Sequence, residues 1–274
     1  MIRNLFKFVI SFLALGYIIF CAMVYFVPQL FFYNPTSIEA NIENAHKSSY
    51  PAQKVEYQSK DGTLLYAWYT PPQDGKPIIV FMHGNSYNIE KFYHKMLPFY
   101  QAGYGTMLPE YRGFGGIEGT ITQQGLEQDA LAAINWLNSL GIKNDNIILY
   151  GMSLGSHMAS YVTVQSNFKS LILEVPFDSL YNVVKDRVFI PLPLEYIVKD
   201  KYDNISLIKR INIPILIMGA SNDKVVPIAR AQNLFDNANY PKNIIIYPKA
   251  EHGNLYDYHN YKDIMKWLKS HEKA

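Results

Sequence analysis

Apolar and polar residues are distributed along this chain in three ways, each predicting a different element. Residues 8–27 (FVISFLALGYIIFCAMVYFV) contain no charge, and as a helix such a run is long enough to cross about 30 Å of hydrocarbon. Short β-rich runs then recur at 55–59, 64–69, 78–82, 105–109, 146–150, 171–175, 215–218 and 243–247, and they read as strands. Apolar residues fall at helical spacing over 126–140, 154–164 and 256–269. Strands alternating with helices predict an α/β sheet with crossover helices. The first two strands flank Asp61-Gly62, a hairpin signal, so the sheet is expected to begin antiparallel and continue parallel. Residues 176–214, including PFDSLYNVV and FIPLPLEYIV, fit no core strand. They are expected to form a small helical cap, about 177–213. The organisation that follows is an anchor over 1–33, a polar connector over 34–52 and one domain over 53–274.

The flanks of the apolar run give it a direction. Arg3 and Lys7 precede it, and the next basic residue is Lys47. By the excess of positive charge on the cytoplasmic side, the N-terminus is expected in the cytoplasm and the domain outside it. A cleaved secretory signal is the alternative, but no small-x-small cleavage site follows the run. The aromatic residues between 25 and 33 suit a membrane–water boundary.

Composition removes some function classes. The formal net charge is +2 and no dense Lys/Arg cluster occurs, so no nucleic-acid partner is expected. Cys21 is the single cysteine and lies in the apolar run, which leaves no disulfide framework within one chain.

The candidate chemistry begins at Gly151-Met152-Ser153-Leu154-Gly155, between a β-branched strand and an apolar-periodic helix. A turn sharp enough to raise the Ser153 hydroxyl above the strand ends crowds the positions two before and two after it, where only very small side chains fit. The helix beyond it would aim its free N–H groups at a developing oxyanion. A serine needs a base near neutral pKa and a carboxylate to orient that base. His252 follows the last expected strand in IIIYPKAEHGN, and Asp223 follows PILIMG, both at the carboxyl edge of the sheet. The order Ser153, Asp223, His252 is the one a G-x-S-x-G elbow on such a sheet requires. Asp178, after the preceding strand, is the rival acid, and His157, four residues past Ser153, is expected to be structural.

His83-Gly84-Asn85-Ser86 directly follows the strand IIVFM. A backbone N–H there, assigned to Asn85 with Ser86 as fallback, is expected to join the N–H of Leu154 in an oxyanion hole. His83 has no partner at metal-ligand spacing and is expected to brace the loop. The glycines of PEYRGFGG (109–116) form no phosphate cradle and are expected to wall the site.

With HGN at 83–85, YRGFG at 111–115, GMSLG at 151–155 and DKYD at 200–203, the chain resembles the membrane-associated branch of the α/β-hydrolase superfamily. The likeness runs from about residue 55 to the C-terminus. It implies an eight-stranded, mostly parallel sheet, a Ser-His-Asp mechanism and no cofactor. Relatives in this branch include lipid-directed esterases, thioesterases and enzymes classed as peptidases. Many read HGN-x-G-N, whereas this chain has Tyr87 in place of that glycine, a change expected to narrow the acyl pocket or alter the loop.

The expected function is hydrolysis of a carboxylic ester or thioester of a lipophilic acyl substrate. A serine peptidase or amidase would use the same triad, and a binding protein on this fold would use none of it. A dehalogenase or epoxide hydrolase would carry a carboxylate where Ser153 stands.

Overall fold

The structure, a computed structural model, describes residues 2–188 and 191–271; Phe189 and Ile190 of the expected cap lie outside the described residues. Eight strands form one sheet: β1 (Gln53–Gln58), β2 (Leu64–Thr70), β3 (Ile78–Met82), β4 (Gly105–Pro109), β5 (Ile147–Met152), β6 (Ser170–Glu174), β7 (Ile215–Ala220) and β8 (Lys242–Tyr247). Their spatial order is β1-β2-β4-β3-β5-β6-β7-β8. β1 pairs antiparallel with β2, and β2 with β4; every later pairing is parallel. All eight expected strands are present, with ends shifted by at most two residues.

The central strands β3, β5, β6 and β7 are buried at every position, which is why they read as continuous apolar runs and not as alternating ones. The pleat still divides them. Ile78, Val80, Leu149, Leu171 and Ile217 enter one core, and Ile79, Phe81, Ile148, Ile172 and Leu216 the other. Helices Gln123–Ser139, Leu154–Thr163 and Ile228–Asn237 cover the first face, through Leu126, Met158 and Leu234 among others. Helices Tyr93–Gln101 and Asn260–His271 cover the second through Met96, Phe99, Ile264 and Leu268.

Two of these helices, Tyr93–Gln101 and Ile228–Asn237, lie outside the three runs read as helical from the sequence. The first is aromatic-rich and holds Pro98 near its end, a residue that normally argues against a helix interior. The C-terminal helix starts at Asn260 and not at 256, because His259 takes a left-handed φ of 59° after a short 3-10 turn.

Residues 34–52 are packed into the domain. Asn34–Pro35 form a two-residue parallel ladder with Ser86–Tyr87, and Ile42–Lys47 is a helix capped by the Asn41 side chain. Tyr50 is fully buried, its hydroxyl 2.5 Å from that of Thr106. Between β6 and β7 the expected cap consists of the short helices Leu180–Arg187, Leu194–Ile197 and Asn204–Ile208. The apolar N-terminus is a single helix, Ile2–Phe26.

One charged cluster ties the hairpin to the loop after β4. Arg112 donates to Asp129, Ser59 and Asp61, the last at 2.6 Å. Hydrogen bonds from Arg112, and then from Thr63, hold the Asp61 carboxyl well below the usual carboxylate range. A depressed carboxylate stabilises the fold above its unfolded pKa, and that contribution is lost as the pH falls toward the folded one. Wild type is therefore expected to lose more stability than Asp61→Asn between about pH 4.5 and about pH 2.5. Urea midpoints across that range check this, with a modest difference expected because Asp61 is exposed.

Candidate active site

β5 ends in a sharp strand-to-helix turn. Ser153 has φ 52° and ψ −116°, a region that side chains rarely occupy and that persists only where the surroundings enforce it. Both flanking glycines are required by contact. A Cβ on Gly155 would overlap the carbonyl oxygen of Met82 at the end of β3, and one on Gly151 would overlap the carbonyl oxygen of Gly155. The Ser153 N–H donates to the carbonyl of Glu174 at 2.9 Å, and the Ser156 hydroxyl to the Ser153 carbonyl at 2.5 Å. The hydroxyl is thereby fixed above the sheet, at the N-terminus of helix Leu154–Thr163.

Two loops at the carboxyl edge deliver the partners. Ser153 Oγ lies 2.8 Å from His252 Nε2, and His252 Nδ1 lies 2.7 Å from Asp223 Oδ2. The other oxygen of Asp223 accepts from the backbone N–H groups of Val225 and Val226, each at 2.7 Å. Asn222 N donates to the carbonyl of Ala250 at 3.0 Å, which binds the acid loop to the histidine loop. A hydroxyl on an imidazole that is itself held by a carboxylate can pass its proton to that imidazole.

Asp178, the rival acid, is elsewhere. It is fully buried and accepts from Arg230 at 3.1 Å, Asn233 at 2.8 Å and Asn182 at 3.1 Å. Its role there is to pin the start of the cap to helix Ile228–Asn237.

Asn85 and Leu154 line the same cavity as Ser153. Leu154 is the first residue of its helix, so its N–H has no intrahelical acceptor. The Asn85 peptide is oriented by its other groups: its carbonyl accepts from Asn34 N at 2.8 Å, and its Nδ2 donates to the Phe32 carbonyl at 2.8 Å. Ser86, the fallback donor, pairs with Asn34 in the short ladder. His83 is fully buried, bonded to the Gly84 carbonyl at 2.8 Å and to Glu110 at 2.9 Å, beneath Tyr111 and Phe114. It braces the loop. His157 is likewise structural, held between Asn204 and Glu127 at 2.8 Å each. Tyr87 keeps a left-handed φ of 68°, but its side chain is half exposed and stands outside the cavity. The expected narrowing of the pocket does not come from Tyr87.

The cavity beside Ser153 measures about 230 Å³. Its apolar wall comes from the cap, through Leu180, Val183 and Val184, and from Phe31 and Phe32 just beyond the N-terminal helix. The aromatic residues at 31–33, expected at a membrane boundary, thus form part of the cavity; hydrophobicity alone does not distinguish these two placements. The Tyr33 and Tyr202 hydroxyls meet at 2.5 Å. Burial pushes both phenols above their ordinary pKa, so both remain protonated at neutral pH. Among the described lining residues the only charged one is Arg187, whose Nη2 donates to the Val225 carbonyl at 2.6 Å.

Comparison with known proteins agrees with this architecture. A model of the X-Pro dipeptidyl-peptidase (S15) family matches residues 61–202. An uncharacterized protein of Mycobacterium tuberculosis, Rv2307c, is 31% identical over 204 residues, spanning 73% of this chain and 72% of the relative. The α/β hydrolase domain-containing protein WAV2 of Arabidopsis thaliana is 27% identical over 68% of this chain and 66% of its own length. Among solved structures, the esterase Pf2001 of Pyrococcus furiosus superposes with a TM-score of 0.71 at 18% identity, covering 87% of this chain and 98% of that one, a likeness of fold. The chain belongs to the X-Pro dipeptidyl-peptidase (S15) family, and with it to the serine hydrolases of the α/β-hydrolase fold.

Proposed function

We propose that this hydrolase cleaves carboxylic ester or thioester bonds of lipophilic acyl substrates, with Ser153 as nucleophile, His252 as base and Asp223 as orienting acid. The observation that carries the reading is the row of bonds from Ser153 through His252 to Asp223 opening directly on an apolar cavity. His252 takes the Ser153 proton as Oγ attacks the acyl carbonyl, and the N–H groups of Asn85 and Leu154 stabilise the oxyanion. The leaving group departs with the proton from His252. Water, activated by the same imidazole, then releases the acid from the acyl-enzyme.

A peptidase is the second reading, favoured by the family model. Removing a dipeptide from a free N-terminus calls for an acidic group to meet the α-ammonium. The charged residue that lines this cavity is Arg187, of the wrong sign, which supports an acyl chain in preference to a peptide N-terminus.

We read the helix Ile2–Phe26 as an uncleaved membrane span with its N-terminus in the cytoplasm and the domain outside. At 25 residues it is about 38 Å long, enough to cross the hydrocarbon.

A fluorophosphonate probe tests both parts. It is expected to label wild type and neither Ser153→Ala nor His252→Ala, and in a membrane-impermeant form to label intact cells from outside. Labelling that survives Ser153→Ala removes the triad reading; labelling confined to lysed cells reverses the orientation. A panel of long-chain esters, thioesters and X-Pro peptides then separates the two activities.

A further inference from the structure

The cap leans on the N-terminal helix well before that helix ends. The Tyr17 hydroxyl donates to the carbonyl of Pro191 at 2.7 Å, and Tyr17 stands nine residues, about 13 Å of helix, before Phe26. Further along, Leu194, Ile197 and Val198 are buried against Val24, with Cys21 and Leu192 packed around them. At the end of the helix Lys199 Nζ lies 3.7 Å from the centre of the Tyr25 ring, a pairing suited to a hydrocarbon–water boundary. Along the helix the contacts thus run from a hydrogen bond at Tyr17, through apolar packing at Val24, to a cation on the Tyr25 ring.

Residues 191–198 are also built to leave water. They read PLPLEYIV, with Glu195 the single charge. Pro191 and Pro193 have no N–H to satisfy. Leu194, Tyr196, Ile197 and Val198 donate to carbonyls within the segment, and Tyr17 occupies the Pro191 carbonyl. In hydrocarbon each unpaired backbone group costs several kcal/mol, and these bonds satisfy four of the six N–H groups of the segment. Tyr196 is nonetheless 76% exposed. Phe32, Leu180 and Val184 belong both to the cap–helix cluster and to the wall of the catalytic cavity, so the helix flank and the cavity share an apolar wall.

We propose that residues 191–198 of the cap are immersed in the same membrane leaflet as the C-terminal half of the helix, and that the cavity receives its acyl chain sideways from that leaflet. The proposal rests on reading Ile2–Phe26 as a membrane span. Pro191 then lies at the depth of Tyr17, inside the hydrocarbon, and Tyr196 nearer the headgroups.

The test uses the full chain with Cys21→Ala and one new cysteine at a time, Pro191→Cys, Tyr196→Cys, Ile10→Cys or Lys143→Cys. Each is labelled with an environment-sensitive fluorophore in phosphatidylcholine vesicles, and fluorophosphonate labelling checks that each retains its fold. Mid-chain doxyl lipid is expected to quench the probes at 10 and 191, and near-headgroup doxyl lipid the probe at 196. Aqueous iodide is expected to reach 143 alone. Iodide quenching at either 191 or 196, with 10 still shielded, overturns the proposal and leaves the membrane span standing. Iodide quenching at 10 as well removes the span and the proposal together. Tyr196 is exposed enough that its replacement leaves the packing intact, so the outcome does not hang on Pro191→Cys.

Discussion

Asp223→Asn is expected to lower kcat/KM toward an ester by about 10,000-fold while leaving the fold intact. The reason lies in how the carboxylate is held. Asp223 Oδ1 accepts from two backbone N–H groups, of Val225 and Val226, so in the asparagine variant the amide oxygen is required there. The amide NH2 must then face His252 Nδ1, in place of the acceptor now 2.7 Å away. That forces the imidazole into the tautomer protonated at Nε2, which donates to Ser153 Oγ when it should accept from it. Steady-state rates on a chromogenic ester, with a thermal melt beside them, check this; the loss should fall mainly on kcat. Activity within about tenfold of wild type would show that Asp223 does not orient the base. Asp178→Asn is the control, since its carboxylate serves Arg230, Asn233 and Asn182.

The largest expected effect on stability comes from beneath the site. Lys95 and Glu174 are 3% and 0% exposed, and Lys95 Nζ is 2.6 Å from Glu174 Oε1. Tyr150 and Asn260 donate to the other carboxylate oxygen. Lys95→Met leaves Glu174 charged and buried without a counter-ion, a change that costs about 3–5 kcal/mol. In a domain of this size that lowers the thermal midpoint by on the order of 10 °C. Adding Glu174→Gln removes the stranded charge, and the double variant should regain most of the loss. Melting curves in detergent decide it. A Lys95→Met midpoint within about 3 °C of wild type would mean that the pair contributes little. The backbone of Glu174 also holds the Ser153 N–H, so fluorophosphonate labelling of the single variant should slow as well.

These two predictions differ in how far their grounds can be seen along the chain. The elbow is legible because its sterics are local: Gly151 and Gly155 stand where the turn crowds against Met82 and the helix. The eight strands are legible because a parallel sheet buried on both faces leaves uninterrupted apolar runs. The preference for Asp223 over Asp178 rests on less, since both follow a strand at the same edge; in the fold Arg230, 52 residues beyond Asp178, captures the rival. The Lys95–Glu174 pair spans 79 residues, and Lys95 is buried on helix Tyr93–Gln101, where a lysine reads from the sequence as a solvent-facing residue. Phe31 and Phe32 suit a bilayer boundary and a cavity wall equally by residue type, and only the packing of the cap assigns them to the cavity.

The short ladder between Asn34–Pro35 and Ser86–Tyr87 bears on how the protein would measure distance. Asn34 comes eight residues after the last residue of the N-terminal helix, too few for a swinging leash, and its strand partner adjoins Asn85 at the cavity. On the readings of that helix as a membrane span and of Ser153 as the nucleophile, the serine is mounted at a fixed height relative to the lipid, like the jaw of a gauge. Scissile bonds at that height are reached by diffusion in two dimensions, and those held farther out, however well they fit the pocket, are beyond the jaw.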